Sequence, residues 1–143
     1  MPRVALPLLG NPPAAAPFRT RAPRDVSVEI TGRCNLRCRH CFNESGPDSP
    51  HELPLERIEA VLDEVRAWGV RTVRVTGGEP TVHRRFRDVL AAGAARGIGV
   101  ALNTNGVYPA DLLEYLTTAP VELFLVGIDG LEANHDAVRG AGT

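Results

Sequence analysis

From Val26 onward the sequence alternates short apolar runs rich in β-branched residues with stretches whose apolar residues recur at helical spacing. This alternation predicts βαβ units, because buried parallel strands read as apolar runs and each is followed by a helix that covers the sheet. We therefore expect an α/β fold with a parallel sheet and right-handed crossovers. The predicted strands are 26–31, 70–76, 98–103 and 121–128, and the predicted helices are 54–68, 84–96 and 109–118.

Composition and charge exclude several classes of protein. The 143 residues include 16 basic and 17 acidic side chains, so the net charge of -1 provides no positive excess for a nucleic-acid backbone. No run reaches the roughly 18 to 20 apolar residues that a membrane-spanning helix requires. We expect a soluble cytoplasmic protein with one domain, and neither nucleic acid nor a membrane as its partner.

Residues 1–24 differ in character from the rest of the chain. They hold half of the 12 prolines, a run of three alanines and four arginines, without a sustained helical or strand period. This composition predicts a flexible Pro/Ala/Arg-rich leader, to which we assign no function. It faintly resembles a transit peptide, although a mis-assigned start or a disordered arm fits better. Residues 25–143 are expected to form the folded domain.

Cys34, Cys38 and Cys41 are the three cysteines of the sequence, in a C-x3-C-x2-C pattern between the first predicted strand and helix. An odd number of cysteines this close together leaves no distant disulfide partner, which favours a reducing compartment and a metal or redox role. The loop follows the carboxyl end of a strand, where α/β folds place their active sites. A [4Fe-4S] cube ordinarily takes four thiolates, so three would leave one iron open for chemistry.

Two other interpretations of the cysteines stay open on spacing alone. A structural zinc site requires four ligands, and His40, His51 or His83 would have to complete it. Three unrelated cysteines that pack as small hydrophobic residues are the second alternative. The spacing favours an iron-sulfur site over both.

Three polar or glycine-rich clusters follow the other predicted strands. Each alone is explained by an ordinary turn. Because the carboxyl ends of successive parallel strands share one edge of the sheet, the clusters together predict a ligand pocket there. In the first cluster, paired glycines allow a close approach to a ligand, and Glu79 precedes a proline, so its carboxylate projects from extended backbone toward an ammonium group. The clusters are Thr-Gly-Gly-Glu-Pro at 76–80, Asn-Thr-Asn-Gly at 103–106 and Gly-Ile-Asp-Gly at 127–130.

These motifs, in this order, resemble the radical S-adenosylmethionine (SAM) superfamily. Independent motif matches multiply, so the resemblance favours iron over zinc far more than the cysteine spacing does. The segment 127–130, followed by His135-Asp136 and Arg139-Gly140, is similar to the branch of peptide-modifying and sulfatase-maturing enzymes with SPASM or twitch extensions. The matching residues are Cys34, Cys38 and Cys41, then Gly77, Gly78, Glu79 and Pro80 of a GGEP motif, then Thr104, Asn105 and Gly106.

The resemblance implies two cofactors and a set of residues that bind them. A [4Fe-4S] cluster would be held by the three cysteines, and the amino and carboxylate groups of SAM would chelate its fourth iron. Glu79, with the backbone near Gly77 and Gly78, would receive the SAM ammonium group. The other candidates for SAM binding are His40 and Phe42 near the adenine, Asn105 and Asp129 near the methionine or ribose, and the motif residues Pro80 and Thr104.

The implied activity is reductive cleavage of SAM to a 5'-deoxyadenosyl radical for modification of a peptide or protein substrate, with an electron from a reducing donor. The implied fold is the first four βα units of a TIM-like partial (β/α)6 barrel, so we expect residues 25–143 to be the N-terminal part of a longer or truncated enzyme. Gly127 stands where many relatives carry serine. The alternatives are a cofactor-biosynthetic reaction on a small molecule, or a noncatalytic iron-sulfur or zinc module, because fold alone does not choose.

Overall fold

The computed structural model describes residues 23–143, so most of the expected leader lies outside the described part. The elements in chain order are β1 (Val26–Thr31), α1 (Leu55–Ala67), β2 (Thr72–Gly77), a short 3-10 helix (Pro80–Val82), α2 (Phe86–Ala95), β3 (Gly99–Thr104), α3 (Ala110–Leu116), β4 (Leu123–Val126) and α4 (Glu132–Arg139). The strands form one parallel sheet in the order β1-β2-β3-β4. Among residues 23–143, no helix is both long and apolar enough to cross a membrane.

The α/β architecture predicted from the sequence is confirmed, and all seven predicted elements are present within two residues at each end. Helix α4 is an element that the sequence analysis missed. Its eight residues include three apolar ones, Ala133, Ala137 and Val138, and none is buried, so the apolar pattern is too short to predict a helix. Its sequence does carry terminal signals, with Glu132 in the first turn, Arg139 in the last turn and Gly140 directly after it.

The hydrophobic core lies on one face of the sheet, beneath the first three helices. Alternate residues of β1, β2 and β3 point to this face, while Glu29, Arg74 and Asn103 lie at the intervening, exposed positions. The helices therefore cover one face and leave the other open, as expected for part of a barrel. The core residues include Val28, Ile30, Val73, Val75, Val100 and Leu102 from the strands and Ile58, Leu62, Val65, Phe86, Val89, Leu90 and Leu116 from the helices.

Two glycines let the loop after β2 pack directly on the loop after β1. A Cβ atom at Gly77, where φ is 150°, would collide with the carbonyl oxygen of Thr31, and one at Gly78 would collide with that of Arg33. The N–H groups of Gly78 and Glu79 instead donate to these two carbonyl oxygens, both at 2.8 Å. The sequence predicts that these glycines allow a ligand to approach. The structure shows that they also allow the backbone after β2 to contact the backbone at the end of β1 and the start of the following loop.

Removal of a core side chain tests this packing. Leu90 in α2 is fully buried, so Leu90→Ala should lower the free energy of unfolding by about 2 to 5 kcal/mol through lost burial and a new cavity. Leu113→Ala, at a position that is 56% exposed on α3, is the matched control and should change it by less than about 0.5 kcal/mol. Urea denaturation measures both, and equal losses would contradict this core.

Candidate functional site

The loop between β1 and α1, residues 32–53 and here called the cysteine loop, folds back on the end of β1. The N–H of Gly32 donates to the carbonyl oxygen of His51 at 2.7 Å, and the N–H of Leu53 donates to that of Ile30 at 2.9 Å. Inside the loop, the N–H of Cys34 donates to the carbonyl oxygen of Gly46 at 3.1 Å. These bonds close the loop at its base and hold its cysteine-bearing part over the carboxyl edge of the sheet.

All three cysteines line one cavity of about 320 Å³ at this edge, which we call the cysteine cavity. Their thiols are free. In the described part of the chain, no three His, Cys, Asp or Glu side chains converge on a point that could hold a single metal ion. A [4Fe-4S] cube binds each thiolate on a different iron, so three free thiols around one open cavity are compatible with a cluster. The cavity is completed by His40, Phe42, Gly78, Asn103, Thr104, Asn105, Gly127 and Arg139.

Backbone and amide N–H groups surround two of the sulfur atoms. Cys34 Sγ accepts from the N–H of Leu36 at 3.4 Å, and Cys41 Sγ accepts from the N–H of Ser45 at 3.3 Å. Burial raises the pKa of the Cys34 and Cys38 thiols, and the positive charge of Arg139 partly opposes the shift at Cys38. A metal would have to displace protons from these thiols when it binds.

The carboxylate of Glu79 is fully buried and joins two segments of the rim. It accepts from the N–H and hydroxyl of Thr81, at 3.1 and 2.7 Å. It also accepts from the hydroxyl of Thr104 at 2.9 Å and from the N–H of Asn105 at 2.7 Å. Tyr108 supports this arrangement by donating its hydroxyl to Thr104 Oγ1 at 2.9 Å. Four donors of the protein itself, two on Thr81 and one each on Thr104 and Asn105, thus surround the carboxylate.

Glu79 also ties the cysteine loop to the same point, because its N–H donates to the carbonyl oxygen of Arg33 at 2.8 Å. The residue therefore joins the cysteine loop, the 3-10 helix and the end of β3. Its carboxylate does not line the cysteine cavity, although Gly78 does. The contact with the SAM ammonium group that the sequence predicts for this carboxylate would require it to exchange one of its present partners.

Asn105 forms a second link between the end of β3 and the cysteine loop. Its side-chain amide donates to Asn35 Oδ1 at 2.7 Å and lies 3.8 Å from Cys34 Sγ. Its Oδ1 accepts from the N–H of Val107 at 2.8 Å, and Asn35 Nδ2 donates to the carbonyl oxygen of Val107 at 2.9 Å. The segment is a tight turn, with Gly106 at a φ of 85°, and it also positions a polar side chain beside a cysteine.

Helix α4, which follows β4, borders the cysteine cavity on the side opposite to β1. The N–H of Arg39 donates to the carbonyl oxygen of Val138 at 2.9 Å, which docks the helix on the cysteine loop. The side chain of Arg139, only 12% exposed, points its guanidinium at the cavity and donates to Asp129 Oδ2 at 2.5 Å. This hydrogen bond holds the pKa of Asp129 below its usual range. His40 Nε2 lies 3.6 Å from the same Asp129 oxygen.

The position of Arg139 explains the glycine at 127. A Cβ atom at Gly127 would collide with the guanidinium of Arg139, so a larger side chain there would displace it. Asp129 is not on the cavity wall, and its carboxylate instead orients the arginine. The sequence analysis listed Asp129 and gave Arg139 no role. The charge in the last turn of α4, directly before Gly140, is the signal of a helix end and does not by itself indicate a binding role.

The structure brings most of the predicted SAM-binding residues together. Phe42 lines the cavity and is 97% exposed to solvent. Asn103, which belongs to the predicted cluster at 103–106 without a named role, and Arg139, which was not predicted, also line the cavity. The predicted residues on the wall are His40, Phe42, Gly78, Thr104 and Asn105, and those away from it are Gly77, Glu79, Pro80 and Asp129.

Comparison with models of known protein families shows which family contains this chain. The model of the radical SAM superfamily matches residues 28–143. The chain belongs to the radical SAM superfamily. The resemblance predicted from the motifs is thus confirmed, and membership of this enzyme family implies a [4Fe-4S] cluster and SAM as cofactors. The residues of the site fit these groups, because three free thiols line one cavity.

Relatives of this radical SAM chain include enzymes with different substrates. It is 35% identical over 124 residues to the mycofactocin maturase MftC of Mycolicibacterium smegmatis, covering 85% of the chain but 32% of the maturase. It is 37% identical over 145 residues to a GTP 3',8-cyclase of a Mycobacterium species, covering 96% of the chain and 41% of the cyclase. The chain therefore spans about a third of the length of the maturase.

Solved structures of SuiB from Streptococcus suis share the fold. The TM-score is 0.72 at 21% sequence identity, over 84% of this chain and 28% of SuiB. SuiB has been solved bound to SAM and bound to its precursor peptide SuiA. The likeness confirms that the four βα units belong to a radical SAM barrel.

The role of Glu79 as a link between loops is testable without any cofactor. Glu79→Gln should lower the free energy of unfolding by about 2 to 3 kcal/mol, because an amide nitrogen replaces an acceptor that faces buried donors. Glu114→Gln, an exposed position on α3, makes the same charge change and should have almost no effect. Chemical denaturation of the cofactor-free chain measures both. Unchanged stability in Glu79→Gln would contradict this role.

Proposed function

We propose that this chain carries the cluster-binding and SAM-binding part of a radical SAM enzyme that modifies a peptide or protein. Cys34, Cys38 and Cys41 hold a [4Fe-4S] cluster, and its open iron binds SAM. When bound, the cluster supplies the electron that cleaves SAM to a 5'-deoxyadenosyl radical, which takes a hydrogen atom from the substrate. A reducing donor has to provide that electron, and free thiols agree with a reducing compartment such as the cytoplasm.

The observation that carries the proposal is the cysteine cavity itself. Three free thiols from one loop face the backbone of Gly78 and the side chain of Asn105 across about 320 Å³. Polar groups and an open space for a small-molecule ligand therefore lie directly beside the proposed cluster ligands. This is the carboxyl edge of the sheet, where such folds bind ligands. In the proposed arrangement the cluster would lie at the thiols, and SAM would extend from it along the open cavity.

The wall residues have distinct proposed roles. The backbone at Gly78 accepts from the SAM ammonium group, and Thr104 and Asn105 lie along the methionine part. Arg139 places a positive charge beside three thiolates and the SAM carboxylate, which favours both anionic groups. His40 and Phe42 form the outer wall, where a planar adenine can stack.

Two observations bear on the substrate. Maturases are among the relatives, and SuiB has been solved with its precursor peptide, which supports a peptide or protein substrate. The 37% identity to a GTP 3',8-cyclase favours a small molecule as the second candidate. A zinc module is less well supported, because the match to the radical SAM family over residues 28–143 implies an iron-sulfur cluster.

The proposed cluster is tested by its composition. The anaerobically reconstituted chain should contain about four irons and four sulfides, because three thiolates hold one cube. Cys38→Ala should lose most of both, whereas His51→Ala should retain them, because His51 is a ligand only if the site binds zinc. Chemical analysis of iron, sulfide and zinc measures the outcome. Stoichiometric zinc without iron uptake would overturn the proposal.

A further inference from the structure

A second cavity, of about 440 Å³, lies on the other side of the cysteine loop. It opens between the end of β1 and the second half of that loop. We call it the acidic cavity, and its polar lining includes Glu29, Asn43, Ser45, Ser49, His51 and Glu52. None of the SAM-binding candidates from the sequence lines it, so the site described above does not account for it.

The acidic cavity contains two carboxylates and no lysine or arginine among its lining residues. Glu29 Oε1 accepts only from the neutral amide of Asn43, at 3.1 Å. Glu52 lies 3.5 Å from the guanidinium of Arg84, whose side chain is 77% exposed, so water screens this pair. His51 is the one remaining titratable group on the wall, and the cavity therefore offers negative charge to a ligand.

Ser45 adds a buried hydroxyl group without a hydrogen-bond partner among residues 23–143 to the wall of this cavity. The residue is only 8% exposed, and its Oγ has no hydrogen-bond partner in the described part of the chain. Buried hydroxyl groups almost always have a partner, so a bound group or a water molecule has to complete this one. The backbone N–H of Ser45 donates to Cys41 Sγ at 3.3 Å, which makes this wall continuous with the cysteine cavity.

The chemistry of the residues that line the acidic cavity suits an organic cation better than a metal ion. No three metal-binding side chains converge on one point among residues 23–143. Separated carboxylates and a serine hydroxyl suit a cation with several N–H donors, such as a guanidinium or an ammonium group on a flexible side chain. The volume is also far larger than a bare ion requires.

We propose that the acidic cavity binds an arginine or lysine side chain of the peptide substrate. That the cation belongs to the peptide substrate rests on the proposed function. That the cavity favours a cation rests on its lining alone. Because Ser45 and Cys41 are in contact, a side chain held here places the neighbouring part of the peptide beside the cysteine cavity. The cavity would then determine which residue of the substrate meets the radical.

Ligand-observed NMR titration of the reconstituted, oxidised chain tests the proposal with matched probes. The probes are N-acetylarginine methylamide, N-acetyllysine methylamide and the citrulline analogue, which has the arginine shape without its charge. At least one charged probe should bind roughly tenfold more tightly than citrulline, the equivalent of about 1.4 kcal/mol. The lysine and arginine arms distinguish the two sources of positive charge.

Variants locate the binding. Glu29→Gln and Glu52→Gln should each weaken the charged probe by roughly fivefold to tenfold, as expected for a hydrogen bond to a charged group. Glu114→Gln, on the distant α3, should leave it unchanged. Glu29 is exposed, so its variant should fold even if Glu52→Gln does not.

Several results would overturn this proposal. They are equal binding of citrulline, unaltered binding in both cavity variants, or no binding of either charged probe at millimolar concentration. The outcome is separable from that of the proposed function. A chain that takes up iron and SAM but fails these titrations contradicts the acidic cavity alone. A chain that passes them without taking up iron keeps the cation site and loses its assignment to the substrate.

Discussion

The buried carboxylate of Glu79 holds together the edge of the sheet on which the candidate site is built. It accepts from Thr81, Thr104 and Asn105, and the backbone N–H of the same residue donates to the cysteine loop at Arg33. Three segments that are distant in sequence therefore meet at one residue. Such a carboxylate is stable in the interior only while all of its donors stay in place, so the geometry of the rim is restrained as a unit.

This restraint explains how a long loop can position three thiols. The cysteine loop is bonded to Glu79 through Arg33, to α4 through Arg39, and to the end of β1 through Leu53. The glycines at 77 and 78 are required where the two segments meet, because a side chain at Gly77 would strike the backbone of Thr31 and one at Gly78 that of Arg33. The positions of the cysteines thus depend on the GGEP segment as much as on their own spacing.

The sequence predicted those parts of the structure that depend on local pattern. The strand bounds of β1, the parallel order and the common edge of the motifs follow from apolar periodicity and from the topology of βαβ units. It could not predict the burial of Glu79, because that depends on hydroxyl and backbone donors about 25 residues further along the chain. Nor could it predict that Arg139 reaches the cavity, because that depends on how α4 docks on the cysteine loop.

The central claim is that three thiolates leave one iron of the cluster open for SAM. Electron paramagnetic resonance of the reduced, reconstituted chain tests it directly, because the spectrum of a [4Fe-4S] cluster responds to a new ligand on one iron. Addition of SAM should shift the signal of the wild-type chain. The spectra with S-adenosylhomocysteine or methionine, two ligands of related shape, are compared with the spectrum in the presence of SAM. A spectrum that stays the same at saturating SAM, with the cluster fully loaded, would contradict the claim.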